Sequence, residues 1–376
     1  MLRERGLPGR VVELSDSTRS AAEAARAVGC DLRQIVKSLV FQGADSKSPI
    51  LVLASGANRV DEPWMTRYAG EPLARADPEF VRGSTGFAIG GVPPTGHPSR
   101  IPTFVDYDLL ELPELWAAAG HPHAVCRLNP TELLELTHAR PVPVAPLTPS
   151  EPDGPPWVTF DCYGTLIDWR TGILQQLDRL APARSPDEAA RRFRDYVREE
   201  MTAERRPYRP YRTVMADAIL ALARAEALEL TRSDAEAVPE SIPDWPAFPD
   251  TREALLDLQR HGFRIGILSN IESDLLARTL DRLGVSVDAV VTAEEVGAYK
   301  PAWNHWIRFL KRTGVDPGSV RHVSASYEHD IAPATALGFR TVYVERYGPP
   351  PTGVPVGTTV KDLRRLVDRF PRDPAG

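Results

Sequence analysis

"WVTFDCYGTLIDW", residues 157–169, reads as a short strand that ends on Asp161 and turns at once through Gly164. Aromatic and β-branched residues favour a buried extended segment. A carboxylate at the carboxyl end of such a strand, followed directly by a turn, stands where open parallel sheets keep their chemistry. It is placed to act as a nucleophile.

Working outward from it, the strand-like runs "FRIGILSN" (263–270), "AVVTA" (289–293), "VRHVSA" (320–325) and "TVYVER" (341–346) alternate with helical stretches such as 251–261 and "NHWIRFLKRTG" (304–314). Strands alternating with helices predict a doubly wound parallel sheet. Three further groups fall at strand ends: Ser269 and Asn270, Lys300 in "GAYKP", and Asp330 in "HVSASYEHD". Each alone is unremarkable, since Asp caps turns and Lys-Pro begins many helices. Four in order make a constellation: a nucleophile, polar groups for substrate, a cation to neutralise charge and a second carboxylate.

That order resembles the haloacid dehalogenase (HAD) superfamily over residues 157–346, and the resemblance makes the helical region at about 170–245 a cap over the site. Phosphatases of the superfamily use Asp-x-Asp, but Tyr163 holds the second position, and a phenol of pKa ~10 is a poor acid for a phosphate ester. Ser326 stands where an acidic residue would help hold Mg²⁺, and fewer carboxylates weaken a site for a hard cation. No cofactor is therefore expected, and Mg²⁺ stays open as the less supported alternative. Asp-x-Tyr-Gly-Thr resembles the L-2-haloacid dehalogenase branch. By that resemblance Asp161 attacks the halogen-bearing carbon and Asp330 helps water hydrolyse the ester. Ser269, Lys300 and Thr165 hold substrate or nucleophile, while Asn270 and a cap arginine, Arg198, cradle the halide. Tyr327 and His329 depart from that branch's usual Asn and Trp, so a haloacid and another small substrate both stay open.

The chain has 376 residues, enough for two domains on a prior of roughly 150 each. "ARPVPVAPLTPSEPDGPPW" (139–157) carries proline at nearly every other residue and reads as a semi-rigid spacer. The expected division is 1–140, a linker at 141–156, a second domain at 157–346, and a Pro-rich segment with a final helix, "VKDLRRLVDRF", over 347–376. A net charge of −6 excludes a strongly basic nucleic-acid binder, so any RNA contact must come from a local patch. Three cysteines without a pairing pattern fit a reducing, cytoplasmic setting, and no stretch reaches the ~18 apolar residues of a membrane helix.

In the first half, "DSTRSAAEAARAVG" reads as a capped helix closed by Gly29, and strand-like runs follow at 36–42, 50–54, 101–105 and 123–128. "QIVKSLVF" (34–41) sets Lys37 inside an apolar strand. Its side chain either snorkels into water or awaits an anion. "STGFAIGGVPPTGH" (84–97) packs glycines and prolines into one turn, either a surface turn or a cradle of backbone N–H groups for an oxyanion. His97 reads as a structural hydrogen-bonding residue. Asp106 in "TFVDYD" either positions Lys37 or a loop amide, or opens a turn.

These stretches, with "AAEAARAVG" and "PILVLASGANRVD", resemble the YbaK-like aminoacyl-tRNA deacylases, the editing domain found in or beside prolyl-tRNA synthetases. The implied fold is a mixed α/β domain. The implied activity is hydrolysis of a wrong amino acid from the 3′ end of tRNA, with Lys37 essential and the Gly-x-x-x-Pro loop (Gly90, Gly91, Pro94) shaping the amino-acid pocket. No side-chain nucleophile stands out, so water is the expected attacker. The whole reads as a bifunctional hydrolase acting on mischarged tRNA and a small molecule. The alternative makes the second half the main enzyme and the first a binding module. The dehalogenase resemblance adds that relatives are often homodimers.

Overall fold

The computed structural model describes residues 10–14, 20–147, 154–204 and 207–370. The chain divides into two units, Met1–Pro149 and Ser150–Gly376.

The first unit is built on a mixed sheet of β1 (Val11–Glu13), β2 (Ile35–Gly43), β3 (Pro49–Ser55), β4 (Leu73–Arg75), β5 (Thr103–Asp106), β6 (Leu115–His121), β7 (Ala124–Leu128) and β8 (Arg140–Val142). Their order is β1-β7-β6-β2-β3-β5-β8, with β4 on β2. The β2–β3 hairpin is antiparallel and pairs Lys37 with Ala54, while β5 lies parallel to β3 and β8 parallel to β5. The helix Ala21–Val28 is capped by Ser20 with Glu23 reciprocating, and Gly29 ends it at φ 70°. The expected start of that helix at 16–19 lies outside the described residues.

The expected linker begins too early. Pro141 and Val142 belong to β8, Val142 and Val144 are buried in the core, and the Val144 carbonyl accepts from Asp61 N–H at 2.8 Å. The prolines fit because β8 is the sheet's edge strand, where a missing N–H costs no ladder bond.

The second unit carries β9 (Trp157–Phe160), β10 (Arg264–Ser269), β11 (Ala289–Thr292), β12 (Arg321–Ser324), β13 (Arg340–Val344) and β14 (Thr358–Val360). All pairs are parallel, in the order β11-β10-β9-β12-β13-β14. The chain leaves β9 for β10 on one side and returns to β12 on the other. The crevice at this switch lies directly beyond Phe160.

Two expectations about the C-terminus are corrected. The unit does not stop at 346, because β14 extends the sheet, and Leu363, Leu366 and Phe370 are buried in its core. "VKDLRRLVDRF" is not a helix but the end of β14 followed by a single 3₁₀ turn, Leu366–Arg369. Arg365 has φ 55°, and Asp250 takes the Leu363 N–H at 2.6 Å, which stops a helix from running through.

Between β9 and the helix Thr251–Arg260 that leads into β10 lie the helices Trp169–Leu180, Pro186–Glu204, Tyr211–Ala225 and Arg232–Ala237. A single bridge, Ile167 to Ala247, ties the two chain segments that enter and leave this cap. The helix Pro186–Glu204 buries Arg192, Tyr196, Glu200 and Ala203, one face at a spacing of three and four.

Candidate functional site

In the second unit Asp161 and Ser269, at the ends of β9 and β10, come together with Lys300, past the helix Ala293–Val296, and with Asp330 in the helical turn Tyr327–Ile331. Lys300 is buried, and its Nζ lies 2.9 Å from Asp161 Oδ1 and 2.7 Å from Asp330 Oδ1 while donating to the Leu268 carbonyl at 2.7 Å. All three ammonium protons are used. The other oxygen of Asp161 accepts from Thr165 Oγ1 at 2.7 Å, and that hydroxyl accepts from Ala325 N–H at 3.1 Å. Gly164, at φ 95°, makes the turn that returns Thr165 to Asp161.

Asn270 lines the cavity, but its amide is committed to the Lys300 backbone: Oδ1 accepts from Lys300 N–H at 2.7 Å and Nδ2 donates to Lys300 O at 3.2 Å. It positions the lysine. Ser269 is buried at the cavity wall, and its Oγ has no hydrogen-bond partner.

Burial pushes the Asp161 carboxyl above its usual range; Lys300 opposes this and Asp330 adds to it. Burial would raise Asp330 too, yet Lys300 and His322 together hold it well below the usual carboxylate range. For Lys300, burial works against the charge and the two carboxylates outweigh it, so its pKa is raised. Lys300 therefore contributes stability that is fully present below its unfolded value and is lost as pH rises through the folded one. Asp330 contributes stability present above its unfolded value and lost as pH falls through the folded one.

Lys300→Met removes the counter-charge of two buried carboxylates and is expected to cost about 3–5 kcal/mol. Denaturant unfolding of the second unit checks it. The loss should shrink from about pH 8 to about pH 5, because protonation of the unpaired carboxylates then favours the folded state. An undiminished loss at the lower pH would point to packing instead.

Four residues escaped sequence reasoning. His322 Nε2 lies 3.0 Å from Asp330 Oδ1, and its Nδ1 lies 2.9 Å from Thr159 Oγ1. Arg346 Nε donates to the Thr165 carbonyl at 3.0 Å, while its Nη1 meets Asp250 Oδ2 at 2.9 Å. Glu200 and Glu204 look in from the cap. Arg346 had a signal, since it ends "TVYVER" just past a strand's carboxyl end.

Arg198 is corrected. Its side chain is 65% exposed and pairs with Asp195 at 3.0 Å. It lies two residues, about 200° of helix, from the inward-facing Glu200, so it points outward. Thr165, Ser269, Asn270, Lys300, Asp161 and Asp330 all line one cavity of about 290 Å³.

Asp161 and Asp330 both face Lys300, and Ser326 Oγ is occupied with His329 Nδ1 at 3.1 Å. Among the described residues no group of three or more His, Cys, Asp or Glu is arranged to hold a metal ion. Tyr163 OH lies 2.8 Å from Thr279 Oγ1, and burial pushes its phenol well above the ordinary value.

In the first unit, half-buried Lys37 donates to the carbonyls of Gly56, at 3.2 Å, and Asn58. Burial lowers its pKa, with Asp106 opposing. Asp106 accepts from Ser55 N–H at 3.0 Å and Asn58 Nδ2 at 2.8 Å, and it also caps the short helix Tyr107–Leu110. It acts on Lys37 through Asn58, which the sequence did not single out.

The glycine loop is pinned by His97, whose Nε2 lies 3.0 Å from the Pro93 carbonyl, the structural role expected of it. Gly90 and Gly96 take φ 86° and 95°, and a side chain on Gly91 would meet Pro122 and the His121 carbonyl carbon at 3.1–3.2 Å. Gly90, Val92 and Ser38 border a cavity of about 300 Å³, and Ser38 Oγ is buried without a partner. Gly91, Pro94 and Lys37 are not in its lining.

Comparison with known proteins places the chain among hydrolases. Residues 15–136 match the family model of the aminoacyl-tRNA editing domain, and residues 156–338 match that of haloacid dehalogenase-like hydrolases. The chain thus carries an editing domain of the YbaK-like kind followed by a HAD hydrolase domain. (S)-2-haloacid dehalogenase 4A of Burkholderia cepacia is 27% identical over 51% of this chain and 84% of that protein. The solved L-2-haloacid dehalogenase RSc1362 is 25% identical, covers 57% of this chain and 98% of its own, and superposes with a TM-score of 0.51. A solved candidate trans-editing enzyme for prolyl-tRNA synthetase is 54% identical over 38% of this chain and 90% of its own, with a TM-score of 0.36.

Proposed function

We propose that the chain is a bifunctional enzyme. Its first domain hydrolyses the ester joining a wrong amino acid to the 3′ end of tRNA, and its second uses Asp161 as a covalent nucleophile on a small substrate. The observation that carries the second half is the Lys300 ammonium clamped between Asp161 and Asp330 beside an open cavity. Lys300 opposes the upward push of burial on the Asp161 carboxyl, and Thr165 fixes its Oδ2.

In the proposed reaction an Asp161 carboxylate oxygen forms a bond to the substrate carbon as the leaving group departs with the bonding electrons. Water, assisted by Asp330, then adds to the Asp161 ester carbonyl, releases the alcohol and restores the carboxylate. No metal enters this sequence. The first half of the proposal rests on the editing-domain match together with the Lys37–Asn58–Asp106 arrangement. A mischarged tRNA as substrate and three free cysteines support a cytoplasmic setting. Among the described residues no helix is long and apolar enough to cross a membrane.

A single turnover in oxygen-18 water tests the second half. The label should appear in the peptide containing Asp161 and be absent from the first product; label only in the product would overturn the covalent step. A second reading has one observation in its favour. Lys37 already satisfies two backbone carbonyls, which suits a purely structural lysine in a tRNA-binding module.

A further inference from the structure

The cap presents the second site with charge of the wrong sign for a halocarboxylate. Glu200 and Glu204 line the cavity from the helix Pro186–Glu204, one turn apart, so they share a face. On the opposite wall are Asp161 and Asp330. Among the described lining residues the one Lys or Arg is Lys300, and its three protons are already spent. A substrate carboxylate would enter a pocket where, among the described lining residues, acidic groups outnumber basic ones and where the expected cap arginine points out to solvent.

The two cap carboxyls differ. Glu200 Oε1 accepts from Tyr196 OH at 2.7 Å and Tyr211 OH at 2.5 Å, so it is anchored. Glu204 has no hydrogen-bond or ion-pair partner among the described residues. Burial, reinforced by Glu200 and opposed by Lys300, pushes its carboxyl well above the ordinary range. Around these carboxyls the wall is aromatic: Trp169, Tyr163, Tyr211 and Tyr347. Aromatic faces with a nearby carboxylate recognise ammonium groups, since the ring quadrupole is negative on its face. Across the cavity the unpartnered Ser269 hydroxyl offers a hydrogen bond to a ligand acceptor.

We propose that the second domain's substrate is a small amine, its ammonium held by Glu204 among the cap aromatics and an oxygen or leaving group set beside Ser269 and Asp161. This rests on the reading of the cavity as the hydrolase site; it does not require Asp161 to act covalently. The negative pocket then serves two ends. It selects a cation, and the arriving charge compensates a carboxyl that burial leaves unpaired.

The test is equilibrium binding of a near-isosteric pair, n-butylammonium and butyrate, to the full chain by calorimetry. Butylammonium should bind at least about tenfold more tightly. Glu204→Gln should remove that preference, and Glu204→Asp should keep part of it, which separates charge recognition from a loss of fold. Butyrate binding as well as or better than butylammonium, or a preference that survives in Glu204→Gln, would overturn the proposal. The oxygen-18 experiment reads the nucleophile separately. Label in Asp161 with butyrate preferred would leave the covalent reading standing and remove the amine, and the reverse pattern would do the opposite.

Discussion

Asp161→Asn is expected to lower kcat of the second domain by about 10⁴-fold or more, while tRNA deacylation and the fold stay as they are. An amide nitrogen has its lone pair delocalised and does not form the ester intermediate, so no partial route through the same step remains. The geometry predicts that the fold survives. The amide oxygen still accepts a hydrogen bond from Lys300 or Thr165, and Lys300 keeps its 2.7 Å contact with Asp330, so no bare charge is stranded. Turnover on a panel of haloalkanoates and halogenated amines, with a thermal melt of the same samples, gives both readings. In the wild type, kcat/KM should fall on the acid side as Asp161 protonates in the free enzyme, because burial raises its pKa while Lys300 restrains the rise. Residual activity within about tenfold of wild type would remove Asp161 from the nucleophile's role, since mutation of an essential nucleophile does not spare that much.

The contrast with Lys300→Met is instructive. Both substitutions stop the proposed chemistry, but only the lysine change takes the ammonium away from two buried carboxylates, leaving Asp330 with His322 alone. Activity alone does not separate the two residues; stability does.

How much of this was legible in the sequence follows from where each residue sits. In a parallel α/β sheet the functional groups come directly after strands, and strands show as short apolar runs, so Asp161, Ser269 and Lys300 and Asp330 beyond them could be read in order. The cap had no such rule. "PDEAARRFRDYVREEMTAE" carries charge on every side of the helix, and which face turns inward is set by tertiary packing. Arg198, the expected cap arginine, lies on the outward face, and Glu200 and Glu204 lie on the inward one.

Strand β6, "LWAAAGH", is alanine-rich with weak strand preference and draws its stability from its neighbours β2 and β7. Strand β8 was hidden by its prolines. The last helix was mistaken because Leu363, Leu366, Val367 and Phe370 do keep helical spacing. They fill the core through a turn that Arg365 breaks with a positive φ.

Lys37→Ala is expected to reduce deacylation by the first domain by about 10²–10³-fold, with tRNA affinity changed far less. Lys37 Nζ gives two protons to the Gly56 and Asn58 carbonyls, which fixes its position and leaves the third for an anion. Asp106 locks Asn58, so the ammonium is aimed before substrate arrives. The residue is only half-buried, so water can replace the ammonium at both carbonyls in the variant and the domain should stay folded. Deacylation of Cys-, Ala- and Ser-charged tRNA-Pro, with tRNA binding measured on the same preparations, separates the alternatives. A fall in kcat with binding retained assigns Lys37 to the developing oxyanion or the terminal ribose-phosphate. Equal turnover by variant and wild type would make the two carbonyl bonds the whole of its role. No turnover by the wild type on any member of the panel would make the first domain a binding module, leaving the chemistry of the chain to Asp161.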